Sequence, residues 1–149
     1  MLVCAPRSSE HLKAILDSLQ VETNERYQRR VIPGAGMRTF CNHFTEDFCD
    51  LMSAPLPRGL LARDQIAWLA GPPGRVAGWL KLGTKAANEA VNKGQPVLVC
   101  WTNPDPKASS HIAPLRSPGR IAQAGATNFN DGTIAKGFGS RVVKCYGHP

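Results

Sequence analysis

The feature that most constrains this chain is a change of hydrophobic period near Gly94. Before it, apolar residues recur at helical spacing: Leu12, Ile15, Leu16 and Leu19 in one segment, then Phe40, Phe44, Phe48, Leu51 and Met52 within residues 39–52. After it, Val97-Leu98-Val99-Cys100-Trp101 is an unbroken run of β-formers bounded by Pro96 and Asn103-Pro104, the pattern of a central strand. Helices first and strands afterwards, without βαβ alternation, predict an α+β domain in which N-terminal helices pack on a small antiparallel sheet.

The remaining punctuation fits that plan. Ser8 or Ser9 is placed to cap a helix over residues 9–19. Residues 21–38, polar and arginine-rich around Pro33-Gly34-Ala35-Gly36, read as an extended or looped connection. Pro55 and Pro57 are expected to stop the aromatic helix, a short helix follows over residues 62–70, and Gly71-Pro72-Pro73-Gly74 turns the chain. Thr84 is expected to cap a helix over residues 85–93 that Gly94 closes. Strands are expected over residues 111–116 and 120–124, joined through Ser117-Pro118-Gly119 as a hairpin. A last strand over residues 141–146 follows a Gly- and Asn-rich loop.

A length of 149 residues suits one domain, 1–149, with its own core. No apolar run approaches the roughly 18 residues of a membrane span. Residues 1–10 lack the apolar stretch and cleavage site of a secretory signal, so synthesis in the cytoplasm is expected. The net charge is +7, and from Lys93 onward seven Lys and Arg face only Asp105 and Asp131. That balance admits an anionic partner such as nucleic acid or an acidic wall polymer, but a solvated basic surface is the commoner explanation. The five cysteines, at 4, 41, 49, 100 and 145, contain no C-x-x-C pair, which argues against a zinc framework. Cys49 and Cys100 lie in apolar patterns as core thiols; Cys4 and Cys145 flank the chain ends and would pair only if those ends meet.

Cys41 falls in the first turn of the aromatic helix. Unpaired backbone N–H groups and the positive end of the helix dipole favour a thiolate there, and the same groups can receive an oxyanion. On position alone, a packed helix cysteine is the commoner explanation. Of the four histidines, His11 and His148 read as solvated, and His43 lies roughly 200° round the helix from Cys41. His111 remains, at a strand start where an imidazole can be presented to a helix end. The third element is a polar group that holds the imidazole in one tautomer. Gln123 has the parity for it if the hairpin loop has an odd number of residues, and a two-residue loop would turn it away; Asn128 is the alternative.

Thr39-Phe40-Cys41-Asn42, Pro55-Leu56-Pro57-Arg58-Gly59, the strand after Gln95-Pro96, and Ser110-His111-Ile112-Ala113 follow one another in the order seen in NlpC-type papain-like cysteine peptidases. The chain resembles in particular the type VI secretion amidase effectors and related phage or prophage peptidoglycan hydrolases, over residues 21–146. Residues 22–27 and 121–128 also look like segments of those enzymes. The resemblance implies a papain-like fold with Cys41 as nucleophile and His111 as base, and with Gln123 or Asn128 in the orienting position. It implies hydrolysis of an amide in the wall's peptide stem, such as D-glutamyl-diaminopimelate, with no cofactor and no metal. Arg38 and Asn42 are candidate substrate-binding residues. Ser110 departs from the family's usual Gly, and Pro114 requires its strand to be at an edge or bulged.

The expected partners are the bacterial peptidoglycan peptide and, for an injected toxin, a cognate immunity protein, with the enzyme itself a monomer. Action in the periplasm would then follow delivery by a secretion system or phage lysis. Two competing readings are a papain-fold acyltransferase, in which an amine or lipid replaces water, and a basic nucleic-acid-binding module using Arg29, Arg30 and the Lys-rich end. The second lacks any zinc finger or aromatic RNA-binding signature, so no nucleic-acid partner is expected. A third is a relative that keeps the fold without the activity. Trp79 and Trp101 are either cleft walls or core, with core the better expectation.

Overall fold

The computed structural model describes residues 7–149. In chain order its elements are α1 (Ser9–Leu19), β1 (Arg30–Ile32), β2 (Gly36–Arg38), α2 (Cys41–Leu51), α3 (Ala62–Ala70), α4 (Pro72–Val76), β3 (Leu80–Leu82) and α5 (Thr84–Asn92). There follow β4 (Val97–Trp101), β5 (His111–Ser117), β6 (Arg120–Gln123), β7 (Phe129–Thr133), α6 (Ile134–Phe138) and β8 (Lys144–Gly147). Six strands form one sheet in the order β3-β8-β4-β5-β6-β7, and β1 and β2 form a separate hairpin; every pairing is antiparallel. The chain is therefore α+β. Among the described residues no helix is long and apolar enough to cross a membrane.

The helical stripes are buried as their spacing requires. Leu12, Leu16 and Leu19 of α1 and Phe44 and Phe48 of α2 join the strand residues Leu98, Val99, Ile112 and Leu115 in one continuous core. Ser8 caps α1 by accepting the His11 N–H at 3.0 Å. α2 ends earlier than its prolines demand: Ser53 takes a left-handed φ of 55°, and the Ala54 N–H closes on the Cys49 carbonyl at 2.9 Å. α1, α2, α3 and α5 all pack on β5. Cys49 and Cys100 are buried core thiols. Cys4 lies outside the described residues, and its pairing with Cys145 with it.

Several expectations change. Residues 21–38 hold a 3₁₀ turn (Glu25–Tyr27) and the β1–β2 hairpin rather than a plain connection; strands of three residues are too short to show a period. Pro72 and Pro73 open α4, since proline suits the first turn of a helix. α5 begins at Thr84 with Gly83 as its cap, so Thr84 is not the capping residue. The Gly- and Asn-rich loop contains β7 and α6, the latter capped by Thr133. His148 is half-buried, with its ring against Trp79 at 5.2 Å and its Nε2 bonded to the Ala77 carbonyl at 2.9 Å, rather than solvated.

β5 is an interior strand, not an edge, and it accommodates Pro114 with a bulge just beyond it. Leu115 pairs with Ile121 and Ser117 with Arg120, so β5 has one residue more than β6 across that step. The loop between them is the two-residue Pro118-Gly119, with Gly119 at φ 71°. Pro118 holds φ near about −65° and so excludes the primed turns that match strand twist. The bulge supplies the missing twist and resets the side-chain parity of the strands behind it.

Candidate active site

Cys41 is the first residue of α2, and its thiol is buried at 6% exposure. The residue ahead of it, Phe40, provides no side-chain cap, so the first-turn N–H groups of α2 have no side-chain acceptor at the N-cap. The N–H groups of Ile112, Asn42 and Cys41 itself bear on the sulfur and favour its charged form. Burial outweighs them and pushes the thiol up to about 11. This reverses the lowered pKa that a helix N-terminus alone would predict, because burial is set by what packs over the helix end.

His111, the residue before Ile112, opens β5 and pairs across the sheet with Trp101 of β4. Its Nε2 lies 2.7 Å from Oε1 of Gln123, whose own NH2 donates to the Thr127 carbonyl at 2.8 Å. The second contact orients the amide, since a carbonyl can only accept and the NH2 group must face it. Oε1 is then turned towards His111, and Nε2 must carry the ring proton. Nδ1 is left with its lone pair. Burial lowers the imidazole pKa, the bond to Gln123 opposes that, and the Arg141 charge adds to the lowering. Thiol and imidazole therefore rest neutral at neutral pH, with no hydrogen bond joining them.

Gln123 reaches His111 despite the two-residue loop because of the bulge. Leu115 and Ile121 are opposite, hence on one face, and His111 and Gln123 lie four and two residues away from them on that same face. Asn128 does not touch the imidazole. Its Oδ1 accepts the Gly125 N–H at 2.9 Å, and its Nδ2 donates to the carbonyls of Val21 and Tyr27 at 3.0 and 2.8 Å. Asn128 thus ties the 21–27 segment to the end of β6.

A cleft of about 390 Å³ opens beside Cys41. One wall runs from Met37 to His43, another from Leu61 to Asp64 at the start of α3, and the third is the 106–110 loop. Arg38 is exposed on the first wall. Asn42 lines the cleft too, but its Nδ2 is committed to the Leu60 carbonyl at 3.0 Å. Beneath it, Gln65 donates to the Asn42 carbonyl at 3.2 Å and to the buried Glu46 at 3.4 Å, tying α3 to the nucleophile helix. Ser110 uses the hydroxyl that a Gly would lack: Oγ accepts the Asn103 N–H at 3.0 Å and closes the loop. Arg63 braces the same loop through the carbonyls of Asn103 and Asp105 at 2.6 and 2.9 Å.

Arg29 is exposed, and three other arginines of this region serve the scaffold. Arg26 and Arg58 converge on Asp47, and Arg30 lies over the Phe40 ring at 4.2 Å. A separate recess of about 510 Å³ beside Glu25, Arg26, Gln28 and Arg30 holds no nucleophile. Trp79 is fully buried and bonded to the Pro55 carbonyl at 2.6 Å, whereas Trp101 is half-buried under Arg141. Sequence reasoning passed over Arg63, Gln65, Gly137, Phe138 and Arg141; only the Gly137-Phe138-Gly139 spacing marks any of them as unusual. No protein-family model matches the chain, and no curated protein does.

Proposed function

We propose that this chain is a papain-like cysteine amidohydrolase that cleaves an amide of the bacterial wall's peptide stem. The observation that carries the reading is Cys41 at an uncapped helix start beside the Ile112 N–H, with His111, the residue before Ile112 in the chain, held as its Nε2–H tautomer by Gln123. In this mechanism Nδ1 of His111 takes the thiol proton as Sγ attacks the carbonyl. The oxyanion falls among the first-turn N–H groups of α2. His111 then gives the proton to the leaving amine, and water releases the acyl group from Cys41.

Since both groups rest neutral, the thiolate forms during attack rather than waiting as an ion pair. Arg38, exposed on the cleft wall, is positioned to meet a stem carboxylate. The wall as substrate, with delivery to the periplasm and an immunity protein as partner, rests on the resemblance of the Cys41 and His111 segments to NlpC-type hydrolases. Mass analysis of defined muropeptides incubated with the protein tests it. Cleavage of one stem amide that Cys41→Ala and His111→Ala both abolish is expected. Equal cleavage by Cys41→Ala would remove the nucleophile, and transfer of the acyl group to an added amine in preference to water would make the chain an acyltransferase.

A further inference from the structure

The imidazole is held by more than Gln123. The ring of Phe138, the last residue of α6, sits 4.6 Å from that of His111 and is fully buried. Gly137 lies against the Gln123 amide so closely that a Cβ there would stand 2.3 Å from Oε1 and 2.7 Å from Cδ1 of the buried Ile121. Gln123 is itself buried and bonded at both ends, so it yields to such a Cβ only by giving up His111 or Thr127. Beyond the helix, Arg141 donates to the Phe138 carbonyl at 3.2 Å and spreads over the ring of Trp101 at 4.4 Å. Trp101 is the cross-strand partner of His111.

We propose that α6 and Arg141 form a clamp that fixes the His111–Gln123 pair. Gly137 is a positioning residue that seats the amide, and Arg141 is the latch that holds Phe138 on the imidazole. The surroundings agree with this role. Arg141 is exposed and does not line the cleft beside Cys41, yet it contacts both aromatic neighbours of His111, Phe138 through its carbonyl and Trp101 through its ring. A segment needed only to cover the sheet would not require a glycine against a side-chain oxygen.

The proposal deepens the hydrolase reading and rests on it for its catalytic consequence, but the clamp has a readout of its own. In nitrogen-15 NMR of the full chain, wild-type His111 should show a protonated Nε2 and an unprotonated Nδ1. Gly137→Ala should convert this to exchanging tautomers and lower kcat on a muropeptide by about 10- to 100-fold with KM within about twofold, the loss expected for one buried hydrogen bond. Arg141→Ala should do the same more weakly, and Arg141→Lys should recover most of the wild-type behaviour, since an ammonium still donates to the Phe138 carbonyl.

His111 signals and kcat unchanged in Gly137→Ala and Arg141→Ala would overturn the clamp. Should Gly137→Ala fail to fold, the exposed Arg141 pair decides by the same signals. If the variants disturb the tautomer while no form of the protein cleaves wall fragments, the clamp stands and the hydrolase reading falls.

Discussion

Gln123 faces His111, Oε1 to Nε2 at 2.7 Å, because β5 carries one more residue than β6 between Leu115 and Ser117. Without that bulge the Pro118-Gly119 turn would put the two side chains on opposite faces of the sheet. The backbone irregularity thus decides which ring nitrogen of His111 keeps its lone pair.

Replacing Gln123 by Ala removes the acceptor of a mostly buried bond, worth about 1–3 kcal/mol. The expected result on a cleavable muropeptide is a fall in kcat of about 10- to 100-fold with KM little changed. Asn128→Ala, which loses only bonds to backbone, should lower Tm while leaving kcat of the folded enzyme near wild type. Steady-state kinetics and thermal melts separate the two; a larger kcat loss for Asn128→Ala would reverse the assignment.

Burial places the Cys41 thiol at about 11, so the unliganded protein should not carry a standing thiolate at neutral pH. Alkylation of Cys41 by iodoacetamide should be slow at pH 7 and climb about tenfold per pH unit towards pH 11. A rate that levels off below pH 8 would show a preformed thiolate instead.

Cys49 and Cys100 are also raised by burial, so folding keeps them protonated above the ordinary thiol range. For groups raised in the folded state, the associated stability is full below the unfolded pKa of about 8.5 and is lost as pH rises beyond it. Melting temperature should therefore fall steeply above about pH 8.5. The double variant Cys49→Ala, Cys100→Ala should be less stable at pH 7, by about 1 kcal/mol per site, and show a shallower alkaline decline. An unchanged slope would remove these thiols as its cause.

Gly94 combines a φ of +76° with a Cβ position 2.3 Å from the Ser8 backbone. Gly94→Ala therefore strains the turn and displaces the cap of α1, at an expected cost of about 2–3 kcal/mol. Gly83→Ser, into open space at the cap of α5, should be neutral or stabilising. Thermal melts compare them directly, and similar Tm values for the two variants would show that the Ser8 contact is not rigid.

What the sequence determined by itself is local. The apolar stripes of α1 and α2, the unbroken Val97–Trp101 run, the α+β order and the place of Cys41 at a helix start all follow from period and punctuation, because side-chain burial repeats every 3.6 or 2 residues. Short elements escaped that logic: β1, β2, β3 and α6 span too few residues to display a period. Other properties belonged to the tertiary structure alone. Gln123 rather than Asn128 meets His111 because of the bulge, which local composition does not announce. The Cys41 thiol is raised rather than lowered because other elements bury the helix end. Phe138 meets the imidazole, Gly137 meets Gln123 and Arg141 meets Phe138 and Trp101, all from a segment about 30 residues beyond His111, and only packing brings such distant segments together.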